Sequence, residues 1–398
     1  MHSLVFRVTT AVLTFLIGIT VAAAWVFNDR GSTIDPVKIG DNERPSSAAT
    51  LEMVFVLDTT GSMGGLIDGA KQRIWSIVNE VMQSESHPAV RIGLVAYRDR
   101  GDQYVTQVLP LTEDLDQVYS TLMAYQAGGG GDTPEDVRRA LLEGVTRAGW
   151  STQSNGVAQI LFLVGDAPPH DDYFDAPDTL LTATDAAKRG IVVNTIQCGS
   201  LAGTRAIWQA IAQNGNGQFF AIEQSGGVRT ISTPYDEQLG QLANKLGGTF
   251  VAYGGGAGDA GDEVRSVARK RVADIETTVA AAAPGEAVAE RALNKAVNKS
   301  AYIGDLMQSI ENGSLEMDKI DANQLPPELR NMTPEKRKQE VEKRLAERRE
   351  LRAQIVALSK QRAEFVAAER KKGGVKGDAF DTAVVAALKE QLKRKGIK

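Results

Sequence analysis

Leu51-Glu52-Met53-Val54-Phe55-Val56-Leu57-Asp58-Thr59-Thr60-Gly61-Ser62-Met63 is the stretch on which the fold turns. Its first seven residues are apolar except Glu52, the pattern of a strand buried on both faces. The run ends in a carboxylate, hydroxyls and a glycine. A helical pattern then spans Leu66–Val81, with Ile67, Ile74, Ile77, Val78 and Val81 as its apolar positions. A strand that leaves through a polar turn into a helix is the first half of a βαβ unit.

The same alternation continues downstream. Val90–Tyr97 and Tyr104–Leu111 read as strands, and Leu115–Tyr125 and Pro134–Arg147 as helices, with Pro134 in a first helical turn. Ala158–Val164 is the most apolar run of the region. After it come helix Asp178–Arg189, strand Ile191–Gln197, helix Arg205–Asn214, strand Gly217–Ile222 and helix Pro234–Leu246. The expected fold is α/β: a doubly wound, mostly parallel sheet flanked by helices, followed by an α-helical C-terminal region. Such sheets bind ligands beyond the carboxyl ends of their strands.

Three polar groups stand at those ends. Asp58, Thr60 and Ser62 are spaced two apart, so in a tight loop they can face one side. Thr133 follows the run Gly128–Gly131, whose glycines let the loop fold close against a neighbour. Asp166 follows Ala158–Val164. Taken singly, Asp58 and Thr133 also suit helix N-caps. Taken together, two carboxylates and three hydroxyls are hard oxygen donors. They suit Mg²⁺ or Mn²⁺, whose charge the two aspartates would balance while coordination positions stay open. One cysteine, Cys198, and three histidines, His2, His87 and His170, leave no cysteine- or histidine-built metal site.

The run Val54–Met63 resembles the first motif of von Willebrand factor type A domains, Asp-x-Ser-x-Ser, which forms a metal-ion-dependent adhesion site. Thr133 in Gly131-Asp132-Thr133-Pro134 is similar to that family's second-loop threonine, and Asp166 in Leu163-Val164-Gly165-Asp166 to its third-loop aspartate. The resemblance implies that Asp58, Thr60, Ser62, Thr133 and Asp166 hold the ion, and that an Asp or Glu of a protein partner completes its shell. It implies binding rather than turnover and names no catalytic residue. Thr60 replaces the usual serine but keeps the hydroxyl. Asp166-Ala167-Pro168-Pro169-His170 departs from the commoner Asp-Gly. The resemblance covers residues 51–254. Tyr97-Arg98-Asp99 and Thr233-Pro234-Tyr235-Asp236-Glu237 are similar to the bacterial exported branch.

Two rival readings stand beside it: a purely structural envelope protein whose oxygen set stays empty, and an enzyme read from the same loop. Asp58-Thr59-Thr60-Gly61-Ser62 also resembles the Asp-Lys-Thr-Gly-Thr motif of P-type ATPases and, more loosely, haloacid-dehalogenase-like phosphatases, in which the first aspartate takes a phosphoryl group. Thr60 stands where those phosphatases need a second aspartate, and no lysine occurs between residues 100 and 187. Arg100-Gly101-Asp102 suits an ordinary turn, and Gly128–Gly131 lacks the Lys-Ser/Thr of a phosphate loop. Asp171, Asp172, Asp175 and Asp178 read as a solvated loop or as an acidic rim.

The two ends differ from the middle. Val8–Phe27 is an uncharged stretch of 20 residues; residues 1–27 read as a signal peptide or an N-terminal membrane anchor, and either places the rest outside the cytoplasm. Residues 28–50 read as a linker. Residues 1–260 carry 17 basic and 28 acidic side chains, against 28 and 22 in residues 261–398. The acidic front argues against nucleic-acid binding there, since phosphates need a basic face. Residues 255–332 are Ala-rich and helical. Residues 333–372 form a long helix, with Thr333 as N-cap and Pro334 in its first turn, whose half-apolar seam (Val341, Arg344, Arg348, Leu351, Ile355, Leu358, Arg362, Phe365) leaves open a coiled coil, self-association, a helical hairpin, or docking on the preceding domain. Residues 373–398 add an amphipathic helix and a basic tail.

Overall fold

β1 (Thr50–Asp58) is the third strand of a six-stranded sheet in the computed structural model, which describes residues 49–82, 88–131, 133–224, 231–298, 300–373 and 379–397. It pairs in parallel with β2 (Ala89–Tyr97) and with β4 (Val157–Gly165). β5 (Ile191–Cys198) and β6 (Asn216–Ile222) extend the parallel side. β3 (Thr106–Thr112) closes the other edge antiparallel to β2. No helix separates β2 from β3, so the chain can only turn back. Pro110 in β3 is tolerated because an edge strand needs only one row of ladder bonds. The order β3-β2-β1-β4-β5-β6 makes β1 and β4 the pair at which the chain changes direction, where such sheets open a crevice.

The alternation within β1 is visible in the two cores. Leu51, Met53, Phe55 and Leu57 pack against α1 (Gly64–Met82) and α2 (Leu115–Ala124) through Leu66, Ile67, Trp75, Val118 and Tyr119. Val54 and Val56 face the other way, among Val137 and Leu141 of α3 (Val137–Thr146), Ala183 of α4 (Thr179–Lys188) and Trp208 of α5 (Thr204–Asn214). Glu52, the one break in the apolar run, is fully buried: its Oε2 accepts from Ser151 N at 3.1 Å and Gln159 Nε2 at 3.0 Å, and Arg91 pairs with it.

One element differs from its sequence reading in a way that matters for the site. The helix expected from Pro134 begins at Val137, because Asp136 is the cap and its side chain accepts from Arg139 N at 3.0 Å. Thr133 is therefore not an N-cap. Pro134 and Glu135 stay outside the helix, and Glu135 bridges Pro169.

The helical region comprises α6 (Asp236–Gly248), α7 (Gly258–Ala282), α8 (Gly285–Val297), α9 (Leu306–Glu311), α10 (Pro327–Arg330), α11 (Pro334–Gly373) and α12 (Ala379–Arg394). Leu239, Leu242 and Leu246 of α6 share a core with Ala289 and Ala292 of α8 and with Leu351 and Ile355 of α11. Val341 and Leu345 join a further core with Leu306, Leu325 and Leu329. The seam of the long helix is thus docked on its own chain. α12 returns to the sheet: Val384, Ala387, Leu388 and Leu392 belong to the core that holds Leu51 and Met53. Among the described residues no helix is long and apolar enough to cross a membrane. Val8–Phe27 and the rest of residues 1–48 lie outside them.

Candidate metal centre

β1 delivers Asp58 to the crevice with none of its surface exposed. Its Oδ1 accepts from Thr60 N at 2.8 Å and Thr60 Oγ1 at 2.7 Å, so the carboxylate shapes its own turn. Thr60 Oγ1 lies 3.3 Å from Ser62 Oγ. The spacing of two does bring these three side chains together. The second oxygen, Asp58 Oδ2, is buried and accepts no well-formed hydrogen bond, meeting only the weak pull of the Asp166 backbone N–H. That is costly for a carboxylate unless something positive meets it.

The neighbouring strand brings in Asp166. Gly165 ends β4 beside Asp58: a Cβ there would stand 3.1 Å from Asp58 Oδ2 and run into Tyr97 Oη, so only glycine lets the two strand ends come this close. Thr204 Oγ1 donates to the Asp166 carbonyl at 3.1 Å, and Trp208 Nε1 to the Ala167 carbonyl at 3.1 Å, fixing the start of this loop. Gln224, two residues beyond β6, donates to Asp166 Oδ2 at 2.6 Å and to the Ser62 carbonyl at 3.3 Å.

The glycine-rich loop closes the third side. Gly61 N donates to Gly129 O at 3.3 Å and Gly128 N to Thr59 O at 3.1 Å. Gly129 and Gly130 take positive φ angles of 78° and 83°, and a Cβ on Gly130 would lie 3.5 Å from Thr60 Cβ. Arg98 ties the loops together, donating to Thr59 O at 3.1 Å and Gln126 O at 2.6 Å. Thr133 stands exposed in this loop. Among the described residues its hydroxyl is not hydrogen-bonded to the other four side chains, and its neighbour Asp132 lies outside them. The structure therefore brings Asp58, Thr60, Ser62 and Asp166 together and places the loop of Thr133 against them.

Several further residues belong to this edge. Glu135 is 3% exposed, and its Oε2 has no hydrogen-bond partner. Tyr173 Oη donates to Asp99 Oδ2 at 3.1 Å, His170 stacks on Tyr173 at 4.0 Å, and Arg138 donates to the carbonyls of Tyr173 and Asp171 at 3.0 and 3.1 Å. These contacts pin the loop after Asp166. Reading Pro134 as the start of a helix hid Glu135. Gln224 follows a strand with no local signal at all.

Burial, and then the nearby Asp166 charge, push the Asp58 carboxyl up to about 7. Burial and the charges of Asp58, Asp99, Asp102 and Asp166 push Glu135 up to about 9. The phosphotransfer reading finds no acid–base aspartate two residues after Asp58, where Thr60 donates to Asp58 Oδ1 instead. Among the described residues no three histidine, cysteine, aspartate or glutamate side chains converge to hold a metal by themselves. The donors on offer are two carboxylates with hydroxyls. An open, hard-oxygen set with a buried carboxylate oxygen that lacks a well-formed hydrogen bond fits Mg²⁺ or Mn²⁺.

A pH dependence follows. Both carboxyls hold protons more tightly folded than unfolded, where values near ~4 apply. Their contribution to stability is fully present below that value and is lost as pH rises through about 7 and then about 9. In chelator, the melting temperature should fall by several degrees between pH 5 and 9. Millimolar Mg²⁺ should flatten the fall. Parallel, flat profiles in scanning calorimetry would contradict this account.

Residues 52–233 match the family model of the von Willebrand factor A domain. An ariadne-like RING finger protein of Acanthamoeba polyphaga mimivirus is 29% identical over 125 residues, which are 31% of this chain and 11% of that protein. The chain thus spans about a tenth of that relative's length. Two solved structures are similar at low identity. The conserved hypothetical protein BatB from Bacteroides thetaiotaomicron has 18% identity and a TM-score of 0.32, over 44% of this chain and 90% of that one. The SpRpn10 VWA domain has 16% identity and a TM-score of 0.33, over 44% of this chain and 89% of that one.

Proposed function

With residues 52–233 as a von Willebrand factor A domain, we propose that this protein is a metal-dependent protein-binding module acting outside the cytoplasm. Asp58, Thr60, Ser62, Thr133 and Asp166 hold Mg²⁺ or Mn²⁺, directly or through its waters. The bound ion supplies a Lewis-acidic position that an Asp or Glu of a partner protein fills. Catalytic turnover is no part of this reading. The extracytoplasmic assignment rests on the uncharged stretch Val8–Phe27.

The observation that carries the proposal is Asp58 Oδ2, buried without a well-formed hydrogen bond beside Asp166 at the point where the sheet changes direction. Capping alone engages one carboxylate oxygen and leaves the other to solvent or a partner, and here the second oxygen is shut away from solvent. Support for a protein partner comes from the rim. Phe174, 85% exposed, stands on the loop pinned by His170, Tyr173 and Arg138, and Leu201 in the loop after β5 is 41% exposed. An exposed phenylalanine on a loop already held in place loses little further freedom when a partner covers it.

Titration calorimetry of the full chain tests the reading. Wild type should take up Mg²⁺ or Mn²⁺, and Asp58→Ala should lose that uptake while keeping its far-ultraviolet circular dichroism. Absence of binding to wild type at millimolar Mg²⁺ and Mn²⁺ would sink the proposal.

A further inference from the structure

We propose that Glu135 is an outer carboxylate of the cation centre, setting the affinity for the ion through its charge and its hold on the ion's water shell. The inference rests on the metal-binding reading above and extends it to a residue outside the motif.

Its surroundings are hard to explain otherwise. Glu135 is 3% exposed, and Oε2 lacks any hydrogen-bond partner. The ionised form is disfavoured in that condition unless a cation stands beside it. The arginines of this edge do not relieve it. Arg98 is spent on the carbonyls of Thr59 and Gln126, Arg100 on Asp136 and Asp175, and Arg138 on the carbonyls of Tyr173 and Asp171. Escape to solvent is blocked by the backbone. Glu135 N donates to Pro168 O at 3.1 Å, and His170 N donates to Glu135 O at 3.1 Å, so the residue is bridged into the loop that carries Asp166.

Its direction is also defined. A Cβ on Gly130 would lie 3.8 Å from Glu135 Oε1 and 3.5 Å from Thr60 Cβ, so the carboxylate looks toward the Asp58–Thr60 turn. It does not join Asp58 and Asp166 in a closed cage of three acids. It therefore serves as an outer group that faces the turn. Mg²⁺ keeps several waters when protein-bound, and these donate to any acceptor around them. Asp58 and Asp166 balance a divalent charge, so Glu135 makes the centre net negative. Outer groups of this kind change metal affinity by about 10- to 100-fold.

Glu135→Gln keeps the shape and removes the charge, and it separates the proposal from a structural role. In calorimetry on the full chain, Mg²⁺ affinity should fall at least about tenfold. In chelator at neutral pH the melting temperature should hold, since the carboxamide fills the same space. Glu135→Asp should recover part of the affinity. Wild-type affinity in Glu135→Gln would overturn the inference, as would a lower melting temperature in chelator with unchanged affinity. If wild type itself takes up no Mg²⁺ or Mn²⁺, the failure is of the metal-binding reading; if wild type binds and Glu135→Gln binds equally, only the role of Glu135 fails.

Discussion

Deleting residues 379–398 is expected to unfold the sheet along with the helix removed. The segment looks dispensable in sequence, a short amphipathic helix with a basic tail. In the fold it is part of the sheet's cover. Val384 and Ala387 are fully buried, and Leu388, Leu392 and Ile397 are 1%, 7% and 4% exposed. All five lie in the core that holds Leu51, Met53 and Phe55 of β1. Asn194 of β5 and Gln391 of α12 exchange hydrogen bonds of 3.1 and 2.6 Å, both residues being buried. At about 1.5–3 kcal/mol for each large apolar side chain, the lost burial reaches roughly 6–12 kcal/mol as an upper bound. A whole domain is stable by only about 5–15 kcal/mol. The shortened chain should therefore lose its cooperative urea transition, and Leu388→Ala in the full chain should cost about 2–5 kcal/mol. A truncated chain with an unchanged urea midpoint would show that α12 is an appendage after all.

Arg291→Met should destabilise the protein by about 3–5 kcal/mol, the cost of breaking a buried ion cluster from one side. Arg291 is 2% exposed. Its Nε and Nη2 donate to the two oxygens of Asp116 at 2.7 and 2.9 Å, and its Nη1 donates to Glu276 Oε2 at 2.7 Å. Lys295 pairs with Asp116 at 2.9 Å and also with Glu276. Two positive and two negative groups from α2, α7 and α8 thus neutralise one another out of water. Removing Arg291 leaves two carboxylates facing one lysine. Burial alone would raise the Asp116 carboxyl, but Arg291 and Lys295 outweigh it and hold Asp116 well below the usual carboxylate range. A depressed carboxylate contributes stability that is present above its unfolded value near ~3.9 and is lost as pH falls toward its folded value. Wild type should lose stability steeply below about pH 4, and Arg291→Met less steeply. Urea midpoints measured between pH 3 and 7 check both statements. A loss under 1 kcal/mol at pH 7, or identical acid slopes, would refute the role given to the cluster.

The comparison of sequence with structure turns on how local each signal is. The strand at Leu51–Leu57 could be read directly because its apolar residues are contiguous, and the turn after it because Asp58, Thr60 and Ser62 lie within five residues. The α11 start was equally plain, with Thr333 and Pro334 at the expected positions. Glu135 was missed because a proline followed by acidic residues reads as a helix start, and only the Asp136 cap and the bridge to Pro169 show otherwise.

The seam of α11 shows the same limit. Arg348 and Arg362 look like faults in an apolar stripe. Folded, they are 0% and 5% exposed. Arg348 pairs with Asp305, and Arg362 pairs with Asp236 at 2.8 Å and Glu290 at 2.7 Å. Their partners are 43, 126 and 72 residues away. The amino-acid order by itself determined the alternating elements, the sheet and the oxygen donors at its carboxyl edge, since each depends on residues a few positions apart. Only the tertiary structure decided what covers the sheet, where the long helix docks and which buried acid faces the Asp58–Thr60 turn. Those outcomes depend on which distant surfaces meet, and periodicity along a chain carries no record of the partner.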